Sequence, residues 1–137
     1  MSLFKVFEVA GSAMSAQTVR LNATASNLAN AEAVAGSAEQ AYKARQPVFA
    51  AALKATQNLQ ETVPVHVAGV VESQALHMPL HMPDHPEADA NGYVYRSNVN
   101  TVEELVNMIS ASRSYQNNVE VMNTSKELLL QTLRLGS

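Results

Sequence analysis

The chain has 137 residues, enough for one modest domain or a small folded body with helical arms. Its hydrophobic share of 47% overstates the core, because 21 residues are alanine and only 5% are aromatic; helix is favoured while burial per residue stays small. A net charge of −3 without a basic run argues against a nucleic-acid binder or electrostatic docking to a membrane, and the lack of cysteine excludes disulfides, thiol catalysis and thiolate metal sites.

No stretch approaches the ~18 apolar residues of a spanning helix, so direct membrane insertion is not expected. Lys5 and Glu8 interrupt the first twenty residues, which read as amphipathic helix; any export is expected to proceed without a cleaved leader. Residues 3–29 form the first predicted helix, with no internal proline and one glycine, Gly11. Leu3, Phe7, Ala10, Met14, Gln17, Leu21, Thr24 and Leu28 recur in steps of four and three, the spacing of a coiled-coil seam. Ala31 to Ser37, containing Gly36, ends this helix.

The middle of the chain reads differently. Tyr42–Leu53 combines Pro47, Val48 and Phe49 with an alanine run and suits strand, helix or both. Val63, Val65 and Val67 alternate with Pro64, His66 and Ala68 and lead into Val70–Val71, the clearest strand signal. Leu76–Pro86 carries three prolines and predicts an extended loop. Asp89-Ala90-Asn91-Gly92 predicts a turn into a short strand at Tyr93-Val94-Tyr95.

Asn98-Val99-Asn100-Thr101 supplies a helix start, with Thr101 and Glu104 at capping-box spacing. The second helix should run to about Leu133 or Arg134, with Gly136 able to end it. Its stripe is Leu105, Met108, Ser112, Tyr115, Val119, Met122, Lys126, Leu129 and Leu133. The outer positions of both helices hold mostly amides and hydroxyls, such as Asn22, Ser26, Ser114 and Asn117, which are cheaper to bury than charges. The expected fold is α+β, mainly α, divided as 1–35 (N-terminal coiled-coil helix), 36–97 (small β-rich module) and 98–137 (C-terminal coiled-coil helix). Such arms, bracketing a weak module, imply a part built into an assembly, and the arms are expected to gain order on incorporation.

Three segments carry a family likeness. Gly11-Ser12-Ala13-Met14-Ser15-Ala16-Gln17 and Asn22-Ala23-Thr24-Ala25-Ser26-Asn27-Leu28-Ala29-Asn30-Ala31 resemble the N-terminal helix of bacterial flagellar axial proteins. His85-Pro86-Glu87-Ala88-Asp89-Ala90-Asn91-Gly92-Tyr93-Val94, with Asn98-Val99-Asn100, is similar to the linker of the proximal-rod branch. Glu104-Leu105-Val106-Asn107-Met108-Ile109-Ser110-Ala111-Ser112-Arg113-Ser114-Tyr115-Gln116 resembles that branch too. The sequence departs from many axial proteins in placing Glu32–Gln40 between the Asn-rich helix end and Tyr42.

The resemblance implies a structural rod subunit, exported unprocessed by the flagellar type III apparatus into the periplasmic basal body. It implies helices paired as a coiled coil along the inner tube and a β module facing outward. Implied partners are other proximal rod proteins, the rod–ring adaptor, the distal rod, the inner-membrane ring protein and copies of itself. The expected assembly interface comprises Leu3, Phe7, Met14, Leu21, Asn27, Leu28 and Asn30, with Leu105, Met108, Tyr115, Val119, Met122, Leu129 and Leu133.

His77, His81 and His85 beside Met78, Met82 and Asp84 resemble a soft-metal cluster and leave a periplasmic metal-binding module as an alternative, next to a different axial protein. Spacing by four would align these histidines only on a helix, which Pro79 and Pro83 forbid, so no metal or cofactor is expected. No nucleophile, acid–base pair or phosphate loop converges, so an enzyme is not expected.

Overall fold

The computed structural model describes residues 2–52 and 62–137; the end of the alanine-rich stretch, at Leu53, lies outside them. Its elements in chain order are α1 (Leu3–Ala29), β1 (Val34–Ala35), β2 (Arg45–Ala51), β3 (Val65–Glu72), β4 (Pro79–His81), β5 (Tyr93–Arg96) and α2 (Thr101–Leu135). Two terminal helices therefore pack together with antiparallel strands between them, the mainly α arrangement read from the periodicity.

Both helices start where a side chain can satisfy free backbone N–H groups. Ser2 Oγ accepts from the Lys5 N–H at 3.3 Å and caps α1. Asn100 Oδ1 accepts from the Val102 and Glu103 N–H groups at 3.1 and 3.3 Å and caps α2. The capping box expected on Thr101 is therefore displaced by one residue. Thr101 is already helical, and Glu104 sits one position too deep to reach back to the cap, which leaves its carboxylate free for another role.

The helices run antiparallel. Arg20 Nη2 of α1 donates to Asn107 Oδ1 of α2 at 3.0 Å, while Thr24, one turn on, lies with Glu103 and Glu104, one turn back. Counting equal steps from Arg20 and Asn107, Leu3 falls opposite about residue 124. The last three turns of α2, ending at Leu135, thus run beyond the start of α1.

On another side, α1 carries the β2–β3 pair. The register runs from Arg45 opposite Glu72 to Ala51 opposite Val65, with an irregularity between Val48 and Phe49. A two-stranded sheet has only edge strands, which is where Pro47 is tolerated. The second sheet has the order β1-β5-β4, antiparallel throughout, with β5 central and Val94 fully buried.

One expectation is revised here. The Pro-rich segment is not loop throughout: Pro79, Leu80 and His81 pair with Tyr95, Val94 and Tyr93, and Pro79 opens the strand at a sheet edge. The segment after α1 returns along β5, with Val34 opposite Arg96 and Ala35 opposite Tyr95. The predicted turn forms, with the Gly92 N–H bonded to the Asp89 carbonyl at 2.9 Å and φ of +81° at Gly92, a conformation glycine adopts without penalty.

Candidate assembly surfaces

Amides of the polar helix ends stitch the β strands onto the helices. Asn27, 1% exposed, donates through Nδ2 to the Arg45 carbonyl at 2.9 Å and accepts on Oδ1 from the Arg45 N–H at 2.9 Å. The same Oδ1 accepts from Tyr42 Oη at 3.0 Å, and Tyr42 Oη lies 3.0 Å from Ser26 Oγ. Asn30 turns back on its own helix, donating to the Ser26 carbonyl at 2.8 Å.

At the other end of the molecule's polypeptide path, Asn98 Oδ1 accepts from the Ala44 N–H at 2.7 Å and Nδ2 donates to the Ser73 and Ala75 carbonyls at 3.2 and 3.0 Å. Ser97 adds bonds from its N–H to the Ala33 carbonyl and from Oγ to the Ala31 carbonyl. The sequence places Asn98 in a helix start; its side chain instead ties that linker to two other backbone segments, at Ala44 and at Ser73–Ala75. Only its position in a polar linker hinted at this.

The seam residues divide into two groups. On α1, Leu3, Phe7, Met14, Leu21 and Leu28 are all half-buried in the single subunit, and Ala10 and Thr24 are buried. On α2, Met108, Tyr115, Met122 and Leu129, seven residues apart, are half-buried, as is Val119. The intervening positions shift: Glu104, Ala111 and Ser125 are buried one residue before Leu105, Ser112 and Lys126. Small side chains there let the helix axes approach, while Ser125 Oγ satisfies itself on the Val121 carbonyl at 2.7 Å.

Leu105 is consequently 50% exposed, and Leu133, beyond the reach of α1, is 62% exposed. They join Val102, Val106, Ile109, Val121, Leu128, Leu130 and Leu135 as exposed large apolar side chains on one helix. Scattered exposed leucines are ordinary; this many on one helix mark an interaction surface.

The histidines of the Pro-rich segment have separate neighbours. His77 Nδ1 lies 2.8 Å from the Arg96 carbonyl, the His81 ring packs edge-on to Tyr93 at 5.0 Å, and His85 Nδ1 accepts from the Glu87 N–H at 3.1 Å. No group of three or more potential His, Asp or Glu ligands forms among the described residues.

A half-open cavity of 220 Å3 lies where α1, α2 and β2 meet, lined by Arg20, Arg45, Gln46, Glu103, Glu104 and Asn107 among others. Glu104 is 4% exposed. Sequence reasoning gave it only a capping role, and the shift of the cap to Asn100 redirects it into this cavity.

Comparison with known proteins completes the picture. Residues 7–36 match the family described as flagella basal body rod protein, and residues 90–135 match the flagellar basal body rod FlgEFG protein C-terminal family. Relatives named flagellar basal-body rod protein FlgC, from Yersinia enterocolitica and Salmonella typhimurium, are each 52% identical over 99% of both chains. This chain belongs to the FlgC family of flagellar basal-body rod proteins. A relative of the same name from Buchnera aphidicola of Schizaphis graminum is 41% identical over the same share.

The chain is thus a structural subunit of the basal-body rod, and it assembles with other rod components. The two rod-family segments cover α1 from Phe7 onward with β1, and β5 with α2. They hold Asn27, Ser97 and Asn98, the side chains that stitch the rod subunit together, and every exposed apolar residue of α2.

Proposed function

We propose that this rod subunit transmits torque through its helices, with α1 and α2 working as a coiled coil inside the rod and the β2–β3 pair turned outward. The observation that carries this reading is the row of large apolar side chains that α2 leaves in solvent, from Val102 to Leu135. Neighbouring helices that cover this row gain about 25 cal/mol for each Å2 of apolar surface removed from water.

Copies of the chain and other proximal rod proteins supply those neighbours, with the rod–ring adaptor, distal rod and inner-membrane ring protein as further contacts. Contacts in such a shaft are heterologous, joining different surfaces of successive subunits so that they propagate. Unprocessed export by the type III apparatus into the periplasm accompanies this role. Leu3, Phe7, Met14, Leu21, Leu28, Met108, Tyr115, Val119 and Met122 hold the helix pair, Leu129 is half-buried on the overhang, and Leu105 and Leu133 face neighbours. Asn27 and Asn30 act indirectly, by fixing the strands and the helix end.

Leu105→Asp is the test. Half-exposed Leu105 tolerates a charge in the solitary chain, so its melting temperature should stay near wild type. In the rod the same carboxylate would be buried without a partner at a cost of several kcal/mol, and the variant should be missing from isolated basal bodies. A strain that swims normally with Leu105→Asp contradicts the proposal.

A further inference from the structure

The cavity between α1, α2 and β2 contains a charge whose environment the single subunit does not complete. Glu104 is 96% withdrawn from solvent, taking the complement of its 4% exposure, and among the described residues its side chain makes no hydrogen bond or ion pair. Two cations line the same cavity, yet neither closes onto it. Arg20 is held by Asn107 Oδ1 at 3.0 Å, and the Arg45 guanidinium lies over the Tyr42 ring, 5.8 Å from its centre. The positive end of α2 favours an acidic residue in this first turn, and the half-open cavity leaves the carboxylate reachable from outside.

We propose that this cavity is a socket for one lysine or arginine side chain of a neighbouring rod-family subunit, with Glu104 as its counter-charge. The inference rests on the reading of the chain as an assembled rod subunit. Three features specify a tethered basic side chain. Glu104 supplies the charge, Gln46 and Asn107 supply amide groups beside it, and Pro47 and Phe49 supply an apolar wall for an aliphatic stem. A small inorganic cation would find one carboxylate and have no use for the apolar wall. The socket also adjoins Val102, Leu105 and Val106, exposed on the same end of α2, so a neighbour covering that row would bring its side chains to the mouth.

The experiment compares wild type, Glu104→Gln and Glu72→Gln by thermal melting of the purified full chain and by the amount found in isolated basal bodies. Gln keeps the shape of Glu104 while removing its charge. The expected result is a Glu104→Gln chain that melts no lower than wild type, yet is at least tenfold depleted from basal bodies. Glu72→Gln, altering an exposed carboxylate of β3 outside the cavity, should behave as wild type in both. Wild-type chain in the same preparations verifies the rod reading separately.

Normal incorporation of Glu104→Gln overturns the socket, and so does a marked fall in its melting temperature, which would assign the carboxylate to the chain's own fold. Swimming revertants of Glu104→Lys extend the comparison. A basic-to-acidic change in a neighbouring rod protein supports the proposal, whereas changes confined to Arg20 or Arg45 would mean that the cavity closes on itself.

Discussion

Asn27 shows how much one amide can organise when its donor and acceptor both meet backbone. It holds the N–H and carbonyl of Arg45 at once, so the direction in which β2 leaves α1 is fixed by a single side chain. Asn27→Ala would leave both Arg45 groups and the Tyr42 hydroxyl without that partner, and should cost about 2 kcal/mol, read as a melting temperature lower by several degrees. Tyr42→Phe removes the bonds to Asn27 Oδ1 and Ser26 Oγ from the same cluster and should cost about 1–2 kcal/mol. Because the two share Oδ1, the double variant should lose less than the sum of the singles; strict additivity in chemical denaturation would show that the cluster does not act as a unit. A second residue-scale constraint is Gly36, where an added Cβ would stand 2.9 Å from the Glu87 carbonyl oxygen, so the chain after α1 can pass that close only without a side chain.

The helices differ in how much of their length the subunit itself supports. α1 is covered by α2 and by the β2–β3 pair, whereas α2 passes the start of α1 and leaves Leu128, Leu130, Leu133 and Leu135 in solvent. An unpacked helix end is marginal in water. In the free chain, amides from about residue 128 to 135 should therefore exchange with deuterium much faster than those from 108 to 122, and the difference should shrink in assembled rods. Uniform protection along α2 in the dilute chain would contradict this. The expectation that the arms gain order on incorporation is tested most directly at this overhang. The limits of what sequence reveals follow the same division. Helix ends were legible because caps, prolines and a sustained period are local signals: α1 spans residues 3–29 as read, and α2 ends within two residues of the estimate. Within the single subunit, three of the nine α2 stripe positions, Leu105, Ser112 and Lys126, give way to the buried residue before each, because apolar character does not identify the face where close contact needs Ala111 and Ser125 instead of leucine. The short β4 and β1 were hidden because a strand of two or three residues is specified by its partner, here β5, and not by its own composition. The socket at Glu104 was hidden by one residue of uncertainty in the cap.

On the scale of the whole molecule, the subunit has the surface of an assembly component and the interior of a very small protein. The buried hydrophobic residues among those described are Ala10, Ala16, Ala31, Ala41, Ala44, Ala111 and Val94, so six of seven contribute a single methyl group each. Such a core permits close approach of helices and strands but withdraws little apolar surface, and polar stitching by Asn27 and Asn98 fixes geometry more than it adds net stability. Many of the large side chains that would ordinarily form a core are left outside, nine of them on α2. Stability of the functional state must then come mainly from neighbours, and by mass action it should rise with occupancy of those surfaces. The dilute chain is accordingly expected to unfold with a urea m-value below that of ordinary domains of its size, since m follows the surface exposed on unfolding. Subunits within isolated rods should resist urea concentrations that unfold the free chain completely. Equilibrium unfolding of the free chain, set beside release of the subunit from rods in the same urea series, measures both quantities. A full-sized m-value, with free and assembled subunits lost at the same urea concentration, would mean that the solitary chain already possesses its stability and that the rod only arranges it.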